Sequence, residues 1–310
     1  MTGFSRTSVW TALGRAVGAR ERDPGVRNPD FLAEKLLGPE ERAVLGAHPL
    51  VKALDSPDAE AIQSPEVLTA ARSMIPRTHF IDRRLKSALG EGATQLVILG
   101  AGFDSRAYRM RELLANVRVF EVDYPATQER KMRRVREALG DPPPNLAYVA
   151  VDFRTDDLGK ELENAGYDRA QRTFFIWEGV TMYLPADAVV STLRWVARYA
   201  PQGSSIVFDY TYETTIRVFA NPDAFPMPAP MREWLERFRR LTSGEPWIFG
   251  IPDGKEEEFL SNVGLQLQKV LGLNSLEAVE SYLTRNDGTV YATYPATERQ
   301  GYLILEARVA

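Results

Sequence analysis

Residues 97–110, VILGAGFDSRAYRM, place Gly100, Ala101 and Gly102 where an apolar run ends and a helical pattern begins. A strand that empties into small residues and then turns into a helix lets a ligand approach the backbone directly, with N–H groups pointing at it. Ser105 stands where a dinucleotide fingerprint carries its third glycine, and Asp104 puts a carboxylate into the first helical turn. There the carboxylate repels a pyrophosphate and attracts an ammonium group, or else it simply caps the helix.

Three further apolar runs end in acids. The second run closes on Glu121-Val122-Asp123, about twenty residues after the glycines, where an acid grips the two hydroxyls of an adenosine ribose. Strand alternation puts Glu121 and Asp123 on one face, so one can bind the ribose while the other packs against the glycine turn or caps the next helix. The third run ends in Val151-Asp152-Phe153, offering an acceptor for an adenine amino group and a ring to pack on the base. The fourth ends in Trp177-Glu178-Gly179. One acid at a strand end is usually a cap. Four strand ends offering glycine or acid on one carboxyl edge suit a ligand with adenosine, an amino group and no phosphate, and S-adenosylmethionine is such a ligand.

The elements that position these residues alternate. From Gln95 onward, β-branched runs and amphipathic helices succeed one another through SSIVFDYTY (204–212), the pattern of a parallel sheet with right-handed crossovers. RAYRMRELLA (106–115) and ATQERKMRRVREALG (126–140) read as helices within that series. LQLQKVLG and GYLILEARV add two strands, the last closing a sheet edge. The expectation from this pattern is an α/β fold whose sheet is closed at one edge by the last strand. Residues 1–90 read as an N-terminal helical lid, and 91–310 as the domain that carries the sheet. Between Tyr210 and Pro252 the alternation stops in favour of six prolines and the aromatics Phe219, Phe225, Trp247 and Phe249. An α/β connection is usually about 2–6 residues long, so 210–252 reads as a cap packed over a pocket.

Composition narrows the chemistry. The 310 residues carry a net charge of −4, so no global basic field serves nucleic acid. There is no cysteine, which excludes thiolate nucleophiles and cysteine-ligated metal, and His48 and His79 are the two histidines. No apolar run reaches the length of a membrane span. The acid-free start resembles a transit peptide in composition, but Val9, Trp10, Leu13 and Val17 fall on one side of an amphipathic helix. The expected setting is cytoplasmic.

In combination, LGAGFDSRAYRM (99–110), FEVDYP (120–125) with Lys131, VDFRTDDL (151–158), WEGVTMYLP (177–185) and PRTHFID (76–82) resemble the leucine carboxyl methyltransferase family. The likeness runs from about Ser5 to the final strand and implies a class I methyltransferase, Rossmann-like α/β fold with a seven-stranded sheet whose last strand is antiparallel, 91–310 being the methyltransferase domain. It implies S-adenosylmethionine as cofactor, with Gly100 and Gly102 lining it and Asp123 on its ribose. It further implies Asp152 and Phe153 at the adenine, Glu178 near the methionine end and Arg77 on the cofactor carboxylate. The family usually has leucine where Phe153 stands.

A carboxylate acceptor, with a pKa of about 4, arrives ionised and needs no base, which suits a chain with two histidines. The expected function is O-methylation of a carboxylate on a small metabolite, with Tyr183 orienting a substrate oxygen. A phenol or alcohol acceptor would call for a base, for which His79 is the candidate; as a hydrogen-bonded helix residue it has a structural reading too. A non-catalytic binding protein of the same fold is the third reading. The basic run Arg130–Arg136 reads as a solvated face, with Glu129 and Glu137 as helical partners of Arg133.

Overall fold

The structure, a computed structural model, describes residues 5–56, 65–241, 245–291 and 302–310. Its sheet consists of β1 (Gln95–Leu99), β2 (Arg118–Asp123), β3 (Leu146–Ala150), β4 (Thr173–Trp177), β5 (Ser205–Tyr210), β6 (Leu265–Gly272) and β7 (Leu303–Val309). The order is β3-β2-β1-β4-β5-β7-β6. The first five strands are parallel and β7 runs antiparallel to both β5 and β6. Every residue of β1, β4 and β5 is buried, because helices cover both faces. That is why these strands read as unbroken apolar runs without alternation.

Register sets the site. Leu99 pairs with Val122 on one side and Trp177 on the other, so the Gly100 turn emerges between Asp123 and Glu178. Trp177 in turn pairs with Phe208, which sets Asp209 beside Glu178.

Two segments depart from the expected elements. The Pro65–Gly90 helix is one 26-residue element that continues through Pro76. PRTHFID therefore lies inside a long helix, and Arg77 projects from a rigid rod. RAYRMRELLA, in contrast, is helical only over Arg106–Arg109. There the Nδ2 of Asn145 donates to Leu114 O at 2.8 Å and to Val117 O at 2.7 Å, satisfying carbonyls without further helix. Meanwhile Arg106 and Arg109 both turn inward onto Asp82.

The basic run on the Pro125–Leu139 helix is a solvated face only at Arg133 and Arg136. Arg130 reaches Glu41 at 2.6 Å and Arg134 reaches it at 3.3 Å, across from the Pro39–Leu45 helix, while Arg133 pairs with Glu40 at 2.9 Å. These are tertiary pairs, so the expected Glu129 and Glu137 contacts with Arg133 give way to docking of the N-terminal segment on the sheet layer. Lys131 points inward to Glu121 at 2.7 Å. Among the described residues of the 210–252 stretch, Trp247 contacts Phe219 and Phe238, each with centroids 5.0 Å apart, and Phe238 meets Trp10 of the Arg6–Ala19 helix. The two stems of the stretch are joined where Ile251 N donates to Thr211 O at 2.9 Å and Glu213 N to Ile251 O at 3.0 Å. Among the described residues no helix is long and apolar enough to cross a membrane.

The two acids of the Pro39–Leu45 helix separate buried from exposed ion pairing. Glu41 is fully buried, so Glu41→Ala leaves Arg130 and Arg134 without it and should lower unfolding free energy by about 3 kcal/mol. Arg133 is half exposed, and Arg133→Ala should cost less than about 1 kcal/mol. Urea denaturation of both variants checks the contrast.

Candidate functional site

A cavity of about 260 Å³ opens at the carboxyl ends of the central strands. Its floor includes Gly100, Ala101, Gly102, Asp104, Asp123, Asp152, Phe153, Glu178 and Arg77, and Tyr183 stands on its wall. Ten of the eleven candidates named from the sequence thus meet in one place. His79 does not. Its Nε2 lies 2.9 Å from Arg27 O and its ring stacks on Tyr282, away from the cavity. Burial lowers its pKa. The base expected at His79 is corrected to a packed helix residue.

The glycine turn is shaped by sterics. Gly100 has φ of 65°, and a Cβ there would lie 2.3 Å from Val180 Cγ2, so any side chain collides with the turn after β4. Gly102 N donates to Asp123 Oδ2, and Tyr124 N donates to Oδ1 at 2.7 Å. Asp123 therefore clasps the glycine turn and the entry to the next helix while still facing the cavity. Burial outweighs those two N–H donors and pushes its pKa up to about 6. Glu121, the other acid of the strand end, is buried on Lys131 and raised by that burial to about 7; it is not among the lining residues. Of the two, Asp123 is the one that faces the cavity.

Asp104 accepts from Arg106 N at 2.7 Å and pairs with the Arg106 guanidinium. Its charge is met from within, so the capping reading describes it, and the attraction for an ammonium group is weaker than its position in the sequence suggests. Arg106 also pairs with Glu178 Oε2 at 2.7 Å, and Arg77 Nε with Glu178 Oε1 at 2.7 Å. Burial alone would raise the Glu178 carboxyl, but the two arginines outweigh it and hold it well below the usual carboxylate range. Asp152 is bound by Arg154 through both oxygens, at 2.9 and 2.7 Å, which lowers its pKa. Phe153 is half-buried, tilted against Trp177 at 5.9 Å. Burial raises the Tyr183 hydroxyl, which therefore remains a donor through neutral pH.

The structure adds residues that sequence patterns do not single out. Ser5, Thr7, Ser8, Thr11 and Arg15 of the first helical segment roof the cavity, and Arg15 Nη2 donates to Phe103 O at 2.8 Å. Glu245, at the far end of the cap, accepts from Ser5 Oγ at 3.2 Å, Thr7 N at 3.1 Å and Thr7 Oγ1, all on Oε2. Asp209 and Tyr302 stand behind Arg77. Asp209 alone left a sequence signal, as an acid inside the apolar run SSIVFDYTY.

A seven-stranded sheet with one antiparallel strand near its edge, and a ligand cavity over a glycine turn and flanking acids, defines a class I methyltransferase. The profile described as leucine carboxyl methyltransferase matches residues 8–197, and the chain belongs to that family. A Bacillus subtilis (strain 168) protein named as the S-adenosyl-L-methionine-dependent methyltransferase YktD is 32% identical over 220 residues, covering 68% of this chain and 72% of its own length. A Mycobacterium tuberculosis (strain ATCC 25618 / H37Rv) protein, also named as such a methyltransferase, is 34% identical over 238 residues, 76% of this chain and 70% of its own. In fold, the chain is similar to a Thermobifida fusca YX structure described as a methyltransferase, with TM-score 0.53, 18% identity and coverage of 89% and 92%. It is likewise similar to a DUF574 family protein of Streptomyces avermitilis, with TM-score 0.53, 16% identity and coverage of 86% and 92%. The chain is an S-adenosylmethionine-dependent methyltransferase. Its cavity fits that cofactor on its own chemistry: a Cβ at Gly102 would enter space with Ser8 Cβ at 3.6 Å, leaving a backbone cradle beside the Asp123 carboxylate.

Asp123 supplies a pH test. Because its pKa is raised, the carboxylate is protonated as pH falls through about 6 and loses acceptor capacity for ribose hydroxyls. Calorimetric titration with S-adenosylhomocysteine should show affinity falling several-fold between about pH 7.5 and 5. Asp123→Asn should bind about tenfold more weakly at pH 7.5 and lose that dependence.

Proposed function

We propose that the chain transfers the methyl group of S-adenosylmethionine to a carboxylate oxygen of a small acceptor. What supports this most is that no poised base stands at the methionine end of the described lining; Asp123, whose carboxyl is raised to about 6, is engaged by Gly102 N and Tyr124 N. None of the described lining residues is a histidine, Glu178 is held ionised by two arginines, and Tyr183 is held protonated. A carboxylate needs no proton removed at neutral pH, whereas an alcohol or phenol does. The placement of His79 removes the observation that favoured the phenol reading.

Within this proposal Asp123 takes the ribose hydroxyls, Asp152 and Phe153 border the adenine, and the Gly100–Gly102 backbone lies beneath the ligand. Asp104 closes the same floor as a cap, and Glu178 and Arg77 meet the amino and carboxylate groups of the methionine end. Arg77 suits that last role through its planar fork. The cofactor supplies an activated methyl group on a positively charged sulfur. Carboxylates outnumber arginines along the cavity, a field that favours a cation. Tyr183 donates to an acceptor oxygen and sets its angle of approach. The Arg6–Ala19 helix and the 245–248 segment exclude water, which strengthens each of these interactions. The helix and cap residues that border the cavity, Ser5 to Arg15 and Glu245 to Ile248, favour a metabolite over a folded protein surface as acceptor.

The first experiment is calorimetric titration with S-adenosylhomocysteine, with NAD as control; micromolar binding of the former alone is expected. Screening of carboxylic acids, then phenols, by mass spectrometry should yield methyl esters. With such an acceptor, His79→Ala should keep at least about half of wild-type turnover and Tyr183→Phe should lower kcat about tenfold or more. Cofactor binding with no methylation of either panel would favour the non-catalytic reading, and aryl ethers without esters would overturn the carboxylate assignment.

A further inference from the structure

Arg77 does not hold its own position. Its side chain is 1% exposed, and Nη1 donates to Asp209 Oδ2 at 3.0 Å and to the Tyr302 hydroxyl. The Tyr302 hydroxyl donates in turn to the same Asp209 oxygen. Neither Asp209 nor Tyr302 lines the cavity, so both act on it only through Arg77.

The same carboxylate reaches the other half of the site. Asp209 Oδ1 accepts from Gly179 N at 2.7 Å, and its main-chain oxygen accepts from Thr181 Oγ1 at 2.6 Å. Those bonds fix the turn that carries Tyr183. The Tyr302 ring is fixed as well: it stacks on Trp247 of the cap, centroids 5.8 Å apart at 22°. Trp247 stacks on Phe219, 5.0 Å away at 26°. A guanidinium with several rotatable bonds is thereby held between a buried carboxylate and a hydroxyl that cannot swing away.

We propose that Asp209 and Tyr302 are positioning residues for the amino-acid end of the cofactor, setting the Arg77 guanidinium so that its Nη2 side meets the methionine carboxylate. This rests on the assignment of Arg77 to that carboxylate. Burial holds the Tyr302 hydroxyl protonated, as a brace that donates to Asp209 requires.

Two ligands separate positioning from general support. S-adenosylhomocysteine carries the amino acid, and 5′-methylthioadenosine shares its adenosine and thioether without it. Arg77→Lys comes first: it should bind S-adenosylhomocysteine about tenfold more weakly and 5′-methylthioadenosine within about twofold of wild type. Equal effects on both ligands would sink the Arg77 assignment, and this inference with it.

If Arg77→Lys discriminates, Tyr302→Phe decides, because it removes one hydroxyl and keeps the stacked ring. We expect S-adenosylhomocysteine binding to weaken about three- to tenfold, with 5′-methylthioadenosine within about twofold. Asp209→Asn should discriminate in the same sense; if it does not fold, Tyr302→Phe alone decides. Equal losses for both ligands, or no loss, would overturn the proposal. So would tighter binding of S-adenosylhomocysteine, which would mean that the brace only competes for the arginine's charge.

Discussion

The cavity exists because arginines and carboxylates neutralise one another beneath it. Arg15, Arg77, Arg106 and Arg109 alternate with Asp30, Asp82, Asp104, Glu178 and Asp209, and all nine side chains are almost wholly removed from solvent. Removing such charges from water costs several kcal/mol each, so each member depends on its neighbours being in place. The members come from distant parts of the chain: the first helix, the loop carrying Asp30, the Pro65–Gly90 helix, the glycine turn and the ends of β4 and β5. One electrostatic condition therefore ties the N-terminal helical segment to the carboxyl edge of the sheet. A site assembled this way is rigid along its charged floor.

Above that floor the closure is lighter. The roof is held by a helix whose first turn bonds to Glu245 and by an aromatic cluster centred on Trp247. Hydrogen bonds to one carboxylate oxygen and ring stacking release at far lower cost than a buried ion network. The arginine layer is therefore the costly part of the site to disturb, and the cap contacts are the cheap part.

Much of the fold was legible because its signals are local. Apolar runs such as QLVIL and TFFIW are long enough to mark buried strands, and glycine or acid at their ends marks the carboxyl edge. The glycine and acid candidates at those ends gather at one cavity for that reason, and Arg77, named through the family resemblance, joins them from the Pro65–Gly90 helix. His79 was misplaced because spacing along a helix fixes its face only once the helix partners are known; two residues from Arg77 is the other side of the rod. The Arg130–Arg136 run looked solvated because the chain alone does not show Glu40 and Glu41 folding back onto it. RAYRMRELLA looked helical because nothing local announces that Asn145 will take its carbonyls.

By itself, then, the sequence determined the alternation of strands and helices, the glycine turn, the acids at the strand ends and the chemical type of ligand they suit. Each of these follows from residue order over a few positions. Only the tertiary structure decided which acid faces the cavity, which arginines cancel which carboxylates, that Glu245 borders the cavity, and that Asp209 and Tyr302 stand behind Arg77. Those outcomes turn on through-space distances of a few ångströms between residues up to 240 positions apart. Electrostatic pairing and shape act through those distances, and a one-dimensional pattern does not contain them.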